Sequence, residues 1–231
     1  MRRTPTRPPL LASDIARNNL RDPAALETIG LFSSLNRLAG IWEGLDAVRH
    51  AADPLLTPEA RALRYKQSFE KATAVATEEV RATANKLLDT KSKLLHDARG
   101  RAGLLADYGN AAELRAVLRA MPQAERDAAI THAAAIGDAA VMTAIQTHEL
   151  LIGATTVPVK VITDTFIAER APEQLAQVAD LDAAIEHLEL AYGQFSRSVE
   201  GMRDLQLERA GDDEAKAARE ADAKLGLALQ G

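Results

Sequence analysis

The residues that could carry chemistry are few and dispersed. The chain has five histidines, His50, His96, His132, His148 and His187, and no cysteine. Metal sites and nucleophile–base pairs need such side chains to converge, and on a helix only residues three or four apart share a face. No histidine has a second histidine at that spacing. His148–Glu149 and Glu186–His187 are adjacent pairs, so their side chains diverge on a helix. HExxH, Glu-x-x-His, an EF-hand loop and a glycine-rich phosphate loop are all missing, and no serine sits in a nucleophile-elbow pattern. These residue types predict a protein that is not an enzyme and holds no cofactor and no metal. The remaining chemistry is charge. Met1–Pro9 combines Arg2, Arg3 and Arg7 with three prolines, which reads as an extended basic arm able to meet a phosphate backbone or an acidic partner.

The elements that would position these groups are helices. Of 231 residues 47% are hydrophobic but only 3% aromatic, and much of the apolar content is alanine, the best helix former. Alanine buries little area, so a core built on it needs close helix approach or surface from a second copy. A net charge of -5 argues against a general nucleic-acid binder and leaves room for a local basic patch. Without cysteine there is no disulfide or thiolate chemistry. The N-terminal apolar patch Leu10–Ala12 is too short for a signal peptide, and no run of about 18 uncharged apolar residues predicts a membrane span.

The clearest pattern runs from Pro172 to Arg209. Val178, Ile185, Tyr192 and Val199 recur every seventh residue, as do Leu181, Leu188, Phe195 and Met202. This is the seam of a coiled coil or helix bundle. Pro172 suits the first helical turn and Gly211 the end. The positions before one set, Gln177, Ala184, Ala191 and Ser198, are small or neutral, which favours a bundle or antiparallel hairpin over an exposed two-stranded zipper. A second helix is predicted from Asp22–Pro23 to about His50. Leu31, Leu35, Leu38, Trp42, Leu45 and Val48 share its face, and Gly40 and Gly44 are placed for close backbone approach. Thr57–Pro58 opens a third, running to Arg99 with a stop at Gly100.

Gly100, Gly103 and Gly109 mark a hinge. Short helices follow over 111–121, 123–136 and 139–151, with a capping-box-like start at Asn110–Glu113 and a Gly137–Asp138 stop and restart. The β-branched run from Val157 to Thr163 is the one strand signal, read as helix because no partner strand exists. The expected fold is all-α and elongated, with two long helices, a compact short-helix subdomain between them, and bundle or coiled-coil packing. Its expected segments are a basic tail and short helix (1–22), a two-helix rod (23–100), the compact subdomain (101–157), the heptad hairpin (158–211) and a polar tail (212–231).

The segment Asn110 to Ile145, with its Leu118-Arg119-x-Met121-x-x-x-Glu125-Arg126 run and its Ile136-Gly137-Asp138 turn after an alanine-rich helix, resembles small helical proteins encoded among the structural genes of tailed bacteriophages and prophages. It covers about one sixth of the chain. The resemblance implies a virion or assembly component of the head, neck or internal core, made in the host cytoplasm. The expected partners are further copies of the chain, other virion proteins, or both. The expected interface is Leu31, Leu35, Leu38, Trp42 and Leu45 with Val178, Leu181, Ile185, Leu188, Tyr192, Phe195, Val199 and Met202. Two other readings use the same residues. A nucleic-acid packing or regulatory protein would work through Arg2, Arg3, Arg7 and the lysines of the third helix. A membrane-active protein would insert the Leu31–Val48 helix.

Overall fold

In the computed structural model, which describes residues 7–13, 16–17, 23–51, 55–147 and 151–228, every regular element among the described residues is helical. A 3₁₀ turn at Pro9–Leu11 precedes α1 (Pro23–Ile29), α2 (Leu31–His50), α3 (Pro58–Arg101), α4 (Ala111–Ala120), α5 (Gln123–Ile136), α6 (Ala139–Thr147), α7 (Val159–Arg170), α8 (Pro172–Glu200) and α9 (Leu205–Ala228). The chain divides into two units, Met1–Leu87 with Ala183–Gly231, and Leu88–Asp182. The division falls inside α3 and α8, so the units are not the consecutive segments expected from sequence.

Several boundaries follow from local chemistry. Thr57 Oγ1 accepts the Ala60 N–H at 3.2 Å, and Pro58 fills the first turn, where its missing N–H leaves nothing unpaired. Gly137 closes α5 in the left-handed conformation (φ +85°), and the Asp138 N–H bonds back to the Ala133 carbonyl at 2.8 Å. Asp138 Oδ1 then accepts the Ala140 and Val141 N–H groups at 3.1 Å, starting α6. The β-branched run forms the start of α7, where Thr163 Oγ1 donates to the Val159 carbonyl at 2.9 Å.

Other expectations are corrected. The helix predicted from Pro23 to His50 is two helices, because Gly30 takes φ +97° and its carbonyl, still accepting the Ser34 N–H, begins a new one. Asn110 precedes α4 without a side-chain cap. Gly40 and Gly44 face open space, with nothing near enough to touch an added Cβ. The heptad helix ends at Glu200, short of the expected Arg209, where Gly201, Met202 and Arg203 bond back in a tight turn and Asp204 Oδ1 caps the next helix through the Leu207 N–H at 3.4 Å. Gly211 does not end a helix. It lies inside α9 against α3, where an added Cβ would sit 2.8 Å from Leu63 Cγ and 3.0 Å from the Glu59 carbonyl.

The second half of α8 is the centre of the first unit. Ala184, Leu188, Ala191, Phe195 and Val199 are fully buried along it. Trp42 Nε1 of α2 donates to Ser198 Oγ at 2.8 Å, the Tyr65 hydroxyl of α3 donates to the Val199 carbonyl at 3.3 Å, and Thr77 of α3 meets the Tyr192 hydroxyl at 2.7 Å. The apolar patch that follows the expected basic arm also docks here. Leu11 is fully buried, and the Leu10 carbonyl accepts from His187 Nε2 at 3.1 Å. Residues 1–6, with Arg2 and Arg3, lie outside the described residues.

The second unit packs α4–α7 around Leu104, Leu118, Ile130, Met142, Ile145 and Phe166. Arg126 is 7% exposed and fixes this unit without any carboxylate. Its guanidinium donates to the carbonyls of Leu118 (2.8 Å), Met121 (2.8 Å) and Ala154 (2.5 Å), tying the end of α4 and its turn to the loop before α7. The Leu118 carbonyl also takes the Met121 N–H at 3.3 Å, and the Met121 and Ala154 carbonyls lie past the last helical residue of α4 and in the loop before α7, so the buried cation gathers acceptors from a helix end and two irregular stretches.

The glycines separate packing from propensity. Gly211→Ala is expected to destabilise the protein by about 1–3 kcal/mol through the clash with α3. Gly44→Ala should stabilise it by about 0.5–1 kcal/mol, because open space leaves only the helix preference. Equilibrium denaturation of the two variants checks the opposite signs.

Candidate functional site

The interface residues expected from sequence are already covered within one chain. Leu31, Leu35, Leu38, Trp42 and Leu45 are buried, as are Val178, Leu181, Leu188, Phe195, Val199 and Met202. Ile185 and Tyr192 are half-buried. Periodicity identified the apolar faces; the chain folds its own helices over them, so they are core and not a free surface. Of the basic arm, Arg7 pairs with Glu43 at 2.9 Å. Lys91, from the cationic face of α3, pairs with Asp182 at 2.5 Å. Trp42 is 7% exposed with its N–H satisfied by Ser198, so α2 does not present a membrane-ready face.

The polar centre that does form lies in the first unit, where the end of α2, the first turns of α3, and the α8–α9 turn meet. It rests on an ion pair between a half-buried arginine and a buried carboxylate. Arg203 Nη2 donates to Glu208 Oε2 at 2.6 Å and its Nε to Oε1 at 3.1 Å, with Glu208 3% exposed. Glu200 adds a second carboxylate at 3.2 Å, and the Arg203 guanidinium lies 4.8 Å from the centre of the Phe69 ring. The fork-to-fork geometry fixes both planes. The hydrogen bond to Glu208 raises the Arg203 pKa further above its ordinary value, against the opposing effect of burial.

Beside this pair is a cleft of about 240 Å³, lined by Val48, Arg49, Pro58, Arg61, Ala62, Tyr65, Met202, Asp204, Leu207 and Glu208. Its carboxylates are engaged: Glu208 by Arg203, and Asp204 as the cap of α9. Arg49 differs, because its buried Nη1 has no hydrogen-bond partner. Burial pushes the Tyr65 phenol up to about 12; Arg49 opposes this, and Asp46 and Glu208 reinforce it. Sequence reading missed Arg49, Tyr65, Arg203 and Glu208. Arg203 and Glu208 are five apart across a helix break that the sequence reading placed inside a continuous helix. Arg49 was hidden at the end of an apolar stripe.

Among the described residues, no group of three His, Asp or Glu side chains could hold a metal ion. His96 and His132 are exposed, and His50 Nδ1 lies 2.8 Å from the Asp46 carbonyl. His148 lies outside the described residues. Among the described residues, no helix is long and apolar enough to cross a membrane.

The second unit leaves an apolar groove open between α5 and α7. It encloses about 290 Å³ and is lined by Thr131, Ala134, Ala135, Val157, Val161, Ile162, Thr165, Phe166 and Glu169. Val157 and Val161 are 45% and 52% exposed.

The shifted phenol sets a pH dependence. Tyr65 has a folded pKa above its ordinary value of 10.0, so the fold favours its neutral form. The stabilisation is complete below pH 10 and is lost as pH rises from 10 through about 12. Over that window the wild type should lose about 2–3 kcal/mol that Tyr65→Phe does not lose. Denaturation at pH 9 and pH 12 on both proteins checks the difference.

No family model, no curated protein and no solved structure matches this chain.

Proposed function

We propose that the chain is a non-enzymatic assembly protein that acts through helix–helix association, as a structural component of a tailed-phage virion. The observation that carries this reading is the open α5–α7 groove, with Val157 and Val161 exposed on its wall. A half-exposed valine leaves apolar area in water that a partner helix would bury, and adjacent exposed apolar residues around a groove mark association surfaces. The groove falls in the segment that resembles phage structural proteins and in the helix that follows it. The occupant we infer is a second copy of the chain, consistent with a repeating assembly.

The reading moves the contact away from the heptad face. Association through that face would require opening the buried core around Leu188 and Phe195. Association through the groove leaves both units intact. The nucleic-acid reading draws no support from Arg7 or Lys91, each paired with a carboxylate.

Light scattering on the full chain across a concentration series tests the proposal. The wild type should grow in mass with concentration. Val161→Glu should remain monomeric with an unchanged melting temperature, since Val161 is 52% exposed. A wild type that stays monomeric throughout, or a variant that associates as the wild type does, would overturn it.

A further inference from the structure

We propose that the cleft bounded by the end of α2, the first turns of α3 and the α8–α9 turn is an oxyanion-binding site, with Arg49 and Arg61 as its charge partners. This goes beyond the association reading and does not depend on it, because the cleft belongs to the first unit and the α5–α7 groove to the second.

One guanidinium donor in the cleft lining is left unused. Four ionisable groups beside Tyr65 line the cleft: Arg49, Arg61, Asp204 and Glu208. Asp204 is spent on the α9 cap, and Glu208 takes two hydrogen bonds from Arg203. Just outside the cleft, Asp46 Oδ1 lies 3.3 Å from His50 Nδ1 and, like Arg49 Nη1, is buried without a hydrogen-bond partner. Among the four lining groups Arg49 is the one with a buried polar atom, Nη1, that donates to nothing. A guanidinium donor shielded from water and without an acceptor is costly, and an oxyanion is the acceptor it matches best. Arg61, exposed on the first turns of α3, supplies a second cation to the lining.

Size and lining narrow the ligand class. A cleft of about 240 Å³ has room for a phosphate or carboxylate group together with a small apolar body, since one water needs only about 10–15 Å³ of such space. Val48, Ala62, Met202 and Leu207 would contact that body. Inorganic phosphate and butyrate separate the two chemistries. The first offers only oxygen acceptors, and the second offers a carboxylate on a short hydrocarbon.

The test uses the full chain. Titration calorimetry and melting temperature are recorded with sodium phosphate and with sodium butyrate, each against sodium chloride at equal ionic strength so that general screening cancels. Saturable one-site binding by either probe, with a rise in melting temperature, is the expected result. Arg49→Met should weaken it at least about tenfold, the loss expected for one charged hydrogen bond. Arg61→Met, at an exposed position, should weaken it too and covers the case in which the Arg49 variant fails to fold. No saturable response from either probe would overturn the proposal, as would equal affinity in both variants.

Discussion

The first unit depends on the wide buried face of α8. An alanine-rich chain cannot build a thick core, because each alanine removes little surface from water. The compensation is proximity. Ala184 and Ala191 are fully buried beside Leu188, Phe195 and Val199, so the small residues flanking the heptad seam widen it into a surface that several helices share. Polar groups then fix who sits where. Trp42, Tyr65 and Thr77 each end in a hydrogen bond on α8, and the Leu10 carbonyl meets His187. Each bond is individually modest, but each forms only if its helix lies in one register. Apolar burial supplies the drive and the hydrogen bonds supply the uniqueness.

Sequence showed which faces are apolar and did not show what covers them. The heptad residues from Val178 to Val199 lie along α8, and most of them are buried. Whether the covering helix belongs to the same chain is a long-range question that spacing does not encode. Helix punctuation was legible where one residue decides it: Thr57–Pro58 and Gly137–Asp138. It failed at the glycines whose role depends on a neighbour. Gly30 breaks a helix with an uninterrupted apolar stripe. Gly211 sits inside a helix because α3 leaves no room for a side chain. Gly40 and Gly44, spaced for contact, make none.

The charged residues divide in the same way. Arg126 and Arg203 are structural cations, one bonded only to carbonyls and the other to Glu208 and Glu200. No local pattern distinguishes them from the exposed arginines of an alanine-rich helix, since their partners come from turns that exist only once the chain has folded. Arg126 is one of the residues that carry the phage resemblance, so a residue first noticed as part of a motif turns out to hold its unit's loop in place. Arg49 has neither arrangement, which is why its surroundings matter.

The account rests on α8 being core and the α5–α7 groove being surface. Hydrogen–deuterium exchange across a protein concentration series measures both in one experiment, because amide protection reports burial segment by segment. The account predicts strong protection over residues 184–199 that does not change with concentration, and protection over residues 159–169 that rises with it. Protection over 184–199 that appears only at high concentration would contradict the account and return the heptad face to the interface between copies.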